Sequence, residues 1–176
     1  MSMKPHFETK QLALHRACSS DLNFLFKLYQ NQEMMTYLGG TLTQDLIEER
    51  LKKWNTHWDD YGFGLGIVRL KDSPQEIGVC ILFHTEIEGE KLLEIGWMID
   101  IPYQGRGFAT EIAKSYMDFA IRNIHARLFA AFPNDKNIPS NRICEKLGFL
   151  CMGQYRYHFL DRTLDTRYWR YEVKSL

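Results

Sequence analysis

The chain has 176 residues, enough for one domain that buries about 70% of its unfolded surface without a disulfide or metal. Lys plus Arg number 22 and Asp plus Glu 22, and that balance excludes a dedicated nucleic-acid binder, whose phosphate contacts demand a basic excess. An apolar fraction of 45% beside 25% charged residues excludes a disordered, collagen-like or coiled-coil chain.

Met1 to Lys10 has no apolar core and reads as no signal peptide. Gln11 to Arg16 alternates apolar and polar residues, which predicts a strand. Ser19-Ser20-Asp21 supplies N-cap chemistry, and Leu22, Leu25, Phe26 and Tyr29 then follow at helical spacing. Thr41-Leu42-Thr43 opens a second helix. Its apolar stripe is Leu46, Ile47, Leu51 and Trp54, with Glu48, Glu49, Arg50, Lys52 and Lys53 expected to face water. Strands are predicted at Phe63 to Leu70 and Ile77 to Phe83, separated by a turn at Lys71-Asp72-Ser73-Pro74. A further turn falls near Glu88-Gly89-Glu90.

Leu92 to Ile99 is the informative strand. Leu93, Ile95, Trp97 and Ile99 share one face, while Leu92, Glu94, Gly96 and Met98 share the other. An ionisable group beside a glycine on an otherwise apolar strand is unlike core, and the absent side chain at Gly96 is expected to leave space next to Glu94. After Pro102, the run Gln104-Gly105-Arg106-Gly107-Phe108-Ala109 leads into a helix with Phe108, Ile112, Tyr116 and Phe119 on its stripe. Leu128 to Phe132 is a short strand. Asn137 opens a helix that tolerates Pro139 in its first turn and stops at Lys146-Leu147-Gly148-Phe149, a cation followed by a left-handed glycine cap. Met152 to Phe159 and Leu164 to Val173 form a closing antiparallel pair turned at Asp161-Arg162. This order predicts a mixed α/β fold in one domain, 1–176, with no linker or repeat.

The four cysteines, Cys18, Cys80, Cys144 and Cys151, form no C-x-x-C pair and read as reduced thiols of a cytoplasmic protein. The longest apolar stretch, Ile77 to Phe83, is too short to span a bilayer, so no membrane partner is expected. The six histidines show no ligand spacing, and no metal is expected.

Two segments carry chemistry. The strand-to-helix turn from Gln104 to Thr110 offers unpaired N–H groups, a positive dipole end and glycines that admit a phosphate close to the backbone. It lacks the Lys-Ser/Thr ending of a P-loop and the third glycine of the dinucleotide fingerprint, which weakens a nucleotide reading. A plain glycine turn explains it equally on local grounds. In the second segment, Asn137 to Phe149, Asn137 is at least as well explained as an N-cap and Ser140 as a first-turn residue.

Together the two segments resemble the GNAT acetyltransferase superfamily. Gln104, Gly107 and Ala109 stand in the three defining places of its Gln/Arg-x-x-Gly-x-Gly/Ala signature. The run Asn137-Ile138-Pro139-Ser140 with Glu145-Lys146-Leu147-Gly148-Phe149 is similar to the later segment of the branch that acetylates ribosomal-protein N-termini, the RimJ/RimL-like enzymes. Glu8-Thr9-Lys10-Gln11-Leu12-Ala13-Leu14 and Glu94-Ile95-Gly96-Trp97 also fit that branch. The resemblance implies acetyl-coenzyme A as donor and a twisted mixed sheet, helices on both faces, splayed between Leu92–Ile99 and Leu128–Phe132. It implies that the backbone of Met98, Ile99 and Ile101 pairs with the pantetheine arm. Gln104, Gly105, Arg106, Gly107, Phe108, Ala109 and Thr110 would hold the pyrophosphate, Asn137 would contact the arm, and Ser140 would lie near the sulfur. Many relatives carry a tyrosine four residues after Ser140; here Cys144 stands there, which leaves Ser140 or water as the general acid.

The expected reaction is attack of an amine on the thioester, the amine belonging to a protein N-terminus or a small molecule. Glu94 is expected to take the amine's proton, directly or through water, and backbone N–H groups near Met98 and Ile99 to face the developing negative charge. The competing role for Glu94 is an ion pair that only shapes the pocket. Cys144, mid-helix with no His near it in sequence, argues against an acyl-cysteine route. Trp54, Trp58, Tyr61, Phe63, Tyr155 and Tyr157 are candidates to line the acceptor pocket, although core packing explains each. Glu48, Glu49, Asp59 and Asp60 would attract a cationic acceptor or simply be a solvated face. The competing function is a coenzyme A-binding module without catalysis. A monomer or a homodimer fits equally.

Overall fold

The computed structural model describes residues 6–174, so the parts of the Met1 to Lys10 and 1–176 readings beyond those limits fall outside the described residues. In chain order the elements are β1 (Phe7–Glu8), β2 (Leu12–Arg16), α1 (Leu22–Tyr29), α2 (Gln32–Met35), α3 (Gln44–Tyr61), β3 (Gly66–Leu70), β4 (Glu76–Ile87) and β5 (Glu90–Ile99). Then come α4 (Phe108–Ile124), β6 (Leu128–Ala131), α5 (Ile138–Leu147), β7 (Leu150–Phe159) and β8 (Arg162–Glu172). The two-residue β1 and one-turn α2 are too short to show a period and were not expected from the sequence. β4 runs four residues past the expected end at Phe83, because its pairing with β5 continues out to Ile87 opposite Glu90. The last turn falls at Leu160-Asp161, with Leu160 at a φ of 58°, and Arg162 belongs to β8.

All eight strands form one sheet in the order β1-β2-β3-β4-β5-β6-β8-β7. Strand alternation divides its side chains between two apolar layers. Leu93, Ile95 and Ile99 of β5 pack with Phe108, Ile112 and Tyr116 of α4. On the opposite face Val79, Ile81 and Met98 meet Leu25, Leu28 and Tyr29 of α1 and Ile47, Leu51 and Trp54 of α3. Each such buried aliphatic or aromatic side chain contributes roughly 1.5–3 kcal/mol. The fold is the expected mixed α/β domain with helices on both faces.

The register of β5 decides where a site can form. β5 pairs with β4 along its length, from Glu90 to Ile99. It pairs with β6, in parallel, only at Leu93 with Phe129 and Glu94 with Ala130. From Ile95 onward no strand of the described residues covers that edge, and the sheet opens into a wedge. The far side of the wedge is the hairpin of β7 and β8, because β6 pairs only with Trp169 to Glu172 of β8. The N-terminal strands brace the helix beyond the wedge. Glu111, in the first turn of α4, accepts hydrogen bonds from the Gln11 backbone N–H (2.9 Å), the Gln11 side chain (2.8 Å) and the Thr9 hydroxyl. Burial alone would raise its carboxyl, and these bonds outweigh it and hold it below the usual value.

Candidate active site

The wedge encloses a cavity of about 780 Å³, within the range of small-molecule and cofactor sites. One side is built from backbone. The carbonyl of Ile99 accepts a hydrogen bond from the Gln104 side-chain amide at 2.8 Å, which fastens the turn to the end of β5. Gly105 and Gly107 have φ values of 72° and 81°, and a Cβ on either would meet nothing within 4 Å. The conformation, rather than crowding, requires glycine there. Gly107 is the N-cap of α4, and the first bond of that helix runs from the Glu111 N–H to the Gly107 carbonyl. The N–H groups of Phe108, Ala109 and Thr110 therefore precede the helical ladder, and all three residues line the cavity.

Met98, Ile99, Ile101, Gln104, Gly105 and Gly107 line it too. Arg106, alone of the expected turn residues, does not. Its guanidinium lies 4.9 Å from the Phe108 ring centroid and 6.0 Å from that of Tyr103. The N–H of Asp100 bonds to Ile77 on β4 at 2.8 Å. By strand alternation the N–H groups of Ile99 and Trp97 then point away from β4 into the wedge, and that of Met98 does not. The backbone donors expected near Met98 and Ile99 are thus Ile99 and Trp97.

The opposite wall begins at α5. Asn137 caps this helix, its side-chain oxygen accepting from the Ser140 N–H at 3.2 Å, which leaves the side-chain NH2 as its other polar group. Asn137 and Ser140 both line the cavity, as do Arg142 and Lys146, four residues apart on one helix face. The buried Asn141 sets the position of this helix. It donates to the carbonyls of Asn134 and Asn137, both at 2.9 Å, and accepts from the Trp169 indole at 2.9 Å.

Glu94 stands at the last β5–β6 pair, where the wedge begins, and its side chain lines the cavity. Burial pushes its carboxyl up to about 7, moderated by a hydrogen bond from the Tyr157 hydroxyl at 2.8 Å. Tyr157 is itself held by Phe132, whose ring stacks on it with 5.1 Å between centroids. Burial and the adjacent carboxylate raise the tyrosine hydroxyl, so it remains a donor. Glu94 has no ion pair among the described residues; the Tyr157 hydroxyl holds its carboxyl instead. Cys144 is buried, and burial pushes its thiol up to about 12, far from a reactive thiolate.

A family model described as an acetyltransferase (GNAT) domain matches residues 11–150. The chain belongs to the GNAT acetyltransferase family. It is 28% identical over 150 residues to the uncharacterized protein YkkB of Bacillus subtilis, with 84% of this chain and 87% of that one covered. The uncharacterized N-acetyltransferase YnaD of Bacillus subtilis is 26% identical over 153 residues, 86% of each chain. Among solved structures, the RimL ribosomal L7/L12 alpha-N-protein acetyltransferase in complex with coenzyme A superposes with a TM-score of 0.78 at 16% identity, covering 97% of this chain and 98% of that one. Spermidine N-acetyltransferase from Vibrio cholerae, in complex with coenzyme A and spermine, gives 0.75 at 21% identity, covering 93% and 96%. The fold is shared with both. The protein is an acetyl-coenzyme A-dependent acyltransferase, and the residues present suit that cofactor: an uncovered strand edge, an open glycine turn before a helix, and two cations on α5.

Several expectations for this GNAT domain need correction. Gly96 does line the cavity beside Glu94, but Ile81 across the strand pair limits the room, since a Cβ there would lie 3.0 Å from its Cγ1. Among the aromatic candidates Trp54 and Tyr157 line the cavity, Trp58 and Phe63 pack in the core as the alternative reading had it, Tyr61 is exposed, and Tyr155 lies tilted against Phe132. None of Glu48, Glu49, Asp59 and Asp60 lines the cavity. Glu49 pairs with Lys53 and Asp59 with Arg16 on the outer surface. Arg50, expected to face water, lines the cavity instead, next to the α3 stripe that carries Leu51 and Trp54. Arg162 closes this end by donating to the carbonyls of Gly40 and Thr41 at 2.7 and 3.2 Å, which ties the hairpin tip to the loop before α3. No sequence signal singled out Arg50, Asn141 or Arg162, because each owes its place to contacts with remote segments.

Proposed function

We propose that the protein transfers the acetyl group of acetyl-coenzyme A to the nitrogen of a primary amine, with Glu94 as the base. The observation that carries this reading is the placement of the Glu94 carboxyl at the apex of the wedge, lining the cavity and held by Tyr157, where burial pushes it up to about 7. Amines have pKa values of about 8–10.4 and reach the site as ammonium. A base near 7 is better matched to that proton than an ordinary carboxylate, yet is largely ionised above neutrality. Tyr157 holds one oxygen of Glu94 and leaves the other to take the proton, directly or through water.

Acetyl-coenzyme A, when bound, supplies the thioester carbonyl that the amine attacks. The free edge of β5 at Ile99, with Met98 and Ile101 beside it, would bind the pantetheine arm together with the Asn137 side chain. The amides from Gln104 to Thr110 would hold the diphosphate, with the dipole of α4 and the charges of Arg142 and Lys146 favouring it. The N–H groups of Ile99 and Trp97 would face the oxygen that gains negative charge. The Ser140 hydroxyl would donate a hydrogen bond to the departing sulfur, which takes its proton from water, directly or relayed through that hydroxyl. Free thiols at Cys18, Cys80, Cys144 and Cys151 suit a cytoplasmic enzyme, which we take to be a monomer or homodimer.

Thiol release from acetyl-coenzyme A across a panel of amines and short peptides tests the proposal. Release that depends on an amine and disappears in Glu94→Gln is the expected result. Thermal stabilisation by coenzyme A with no release from any acceptor would identify a binding module instead.

A further inference from the structure

We infer that the amine accepted by this enzyme carries an oxyanion, a carboxylate or a phosphate, and that Arg50 binds it. The inference rests on acetyl transfer at Glu94 and adds the class of acceptor. Arg50 belongs to the acceptor end of the cavity, with Glu94, Tyr157 and Phe159. Its guanidinium carbon lies 5.1 Å from the centroids of both the Trp54 and Phe159 rings. Two aromatic contacts hold a planar cation in place without neutralising it, and leave its N–H edges available for an acceptor.

Arg50 forms no ion pair among the described residues, and its buried Nε has no hydrogen-bond partner. Its neighbour Glu49 is engaged by Lys53 at 2.7 Å. Glu94 is engaged by Tyr157, and Glu33 is the other carboxylate at the cavity wall. Arg69 makes the contrast clear. Its guanidinium also contains a buried, unpartnered Nε, but it bonds Asp21 at 2.6 Å and Glu76 at 3.4 Å and so belongs to the scaffold. Arg50 has the same chemistry but, among the described residues, no carboxylate paired with it, and it faces a cavity rather than a core. A partly desolvated guanidinium in that position recognises a carboxylate or phosphate through paired, charge-assisted hydrogen bonds. A polyamine would bring like charge against it.

The test uses matched acceptors: β-alanine against β-alaninamide, and O-phosphoethanolamine against ethanolamine, with spermidine as the cationic control. Each is measured by thiol release, and by calorimetry on wild-type protein saturated with coenzyme A, which cannot turn over. In the wild type the anionic member of at least one pair is expected to lead by roughly 10- to 100-fold, the size of a charge-assisted hydrogen bond to a buried cation. The two pairs tell carboxylate from phosphate. Arg50→Gln is expected to abolish the lead, and Arg50→Lys, which keeps the charge and stem if the Gln variant misfolds, to retain part of it. Equal binding and reaction of both members of each pair, a lead that survives Arg50→Gln, or spermidine as the best acceptor would overturn the inference. Arg50-dependent binding of the anionic amines without thiol release would instead sink acetyl transfer at Glu94 and leave the anion site standing.

Discussion

The wall of the cavity from Met98 to Thr110 is made chiefly of backbone, whereas the wall around Glu94 is made of side chains delivered by separate segments. In the first, a strand edge, two glycines and a helix start follow one another within a dozen residues, and Gln104 secures them with a single bond to Ile99. In the second, Glu94 comes from β5, Arg50 and Trp54 from α3, Phe132 from the end of β6, and Tyr157 and Phe159 from β7. In the proposed reading, backbone amides would recognise what every acetyl-coenzyme A presents. Side chains from remote places would, in the same reading, recognise the acceptor. The two walls meet at Glu94, where β5 loses its partner.

If the walls are separate in function, substitutions should separate donor binding from turnover. The largest effect is expected for Glu94→Gln, a loss of about 10²–10⁴-fold in turnover with the affinity for coenzyme A unchanged. The acidic limb of the wild-type rate profile should titrate near 7, with rate rising as Glu94 ionises, and should be missing in the variant. Stability carries the opposite sign. The folded state holds this proton above the usual carboxylate value, so the contribution is fully present below about 4.5 and lost as pH climbs to about 7. Between those limits the stability of Glu94→Gln should fall less than that of the wild type by on the order of 3 kcal/mol.

Next in size is Ser140→Ala, expected to cut turnover by about 10²-fold with little change in coenzyme A affinity. Equal turnover would reduce Ser140 to a first-turn residue whose N–H is bound by Asn137. Gly107→Ala forces a Cβ onto a left-handed residue at about 1–2 kcal/mol. Because nothing crowds that Cβ, the loss should appear in the melting temperature and in coenzyme A affinity, while the ranking of acceptors stays as it was. The smallest effect is expected for Tyr157→Phe. Loss of its hydrogen bond to the carboxylate should move the acidic limb upward, so that turnover falls several-fold, by roughly 1 kcal/mol, at neutral pH and recovers as pH rises. A uniform loss at every pH would show that Tyr157 only packs.

Features that depend on near neighbours could be read along the chain: the α3 and α5 N-caps at Thr43 and Asn137, the left-handed stop at Gly148, the glycine turn, and the alternation that sets Glu94 and Met98 on one face of β5. Hydrogen bonds and φ preferences act over a few residues, so a local reading reaches them. Packing between distant segments sets where β5 and β6 part, how closely Ile81 approaches Gly96, the anchoring of α5 through Asn141 and Trp169, and the inward turn of Arg50 between Trp54 and Phe159. Each of these joins residues far apart in the chain. The free energy that fixes them comes from excluding water and pairing polar groups between elements, and it has no local pattern to announce it.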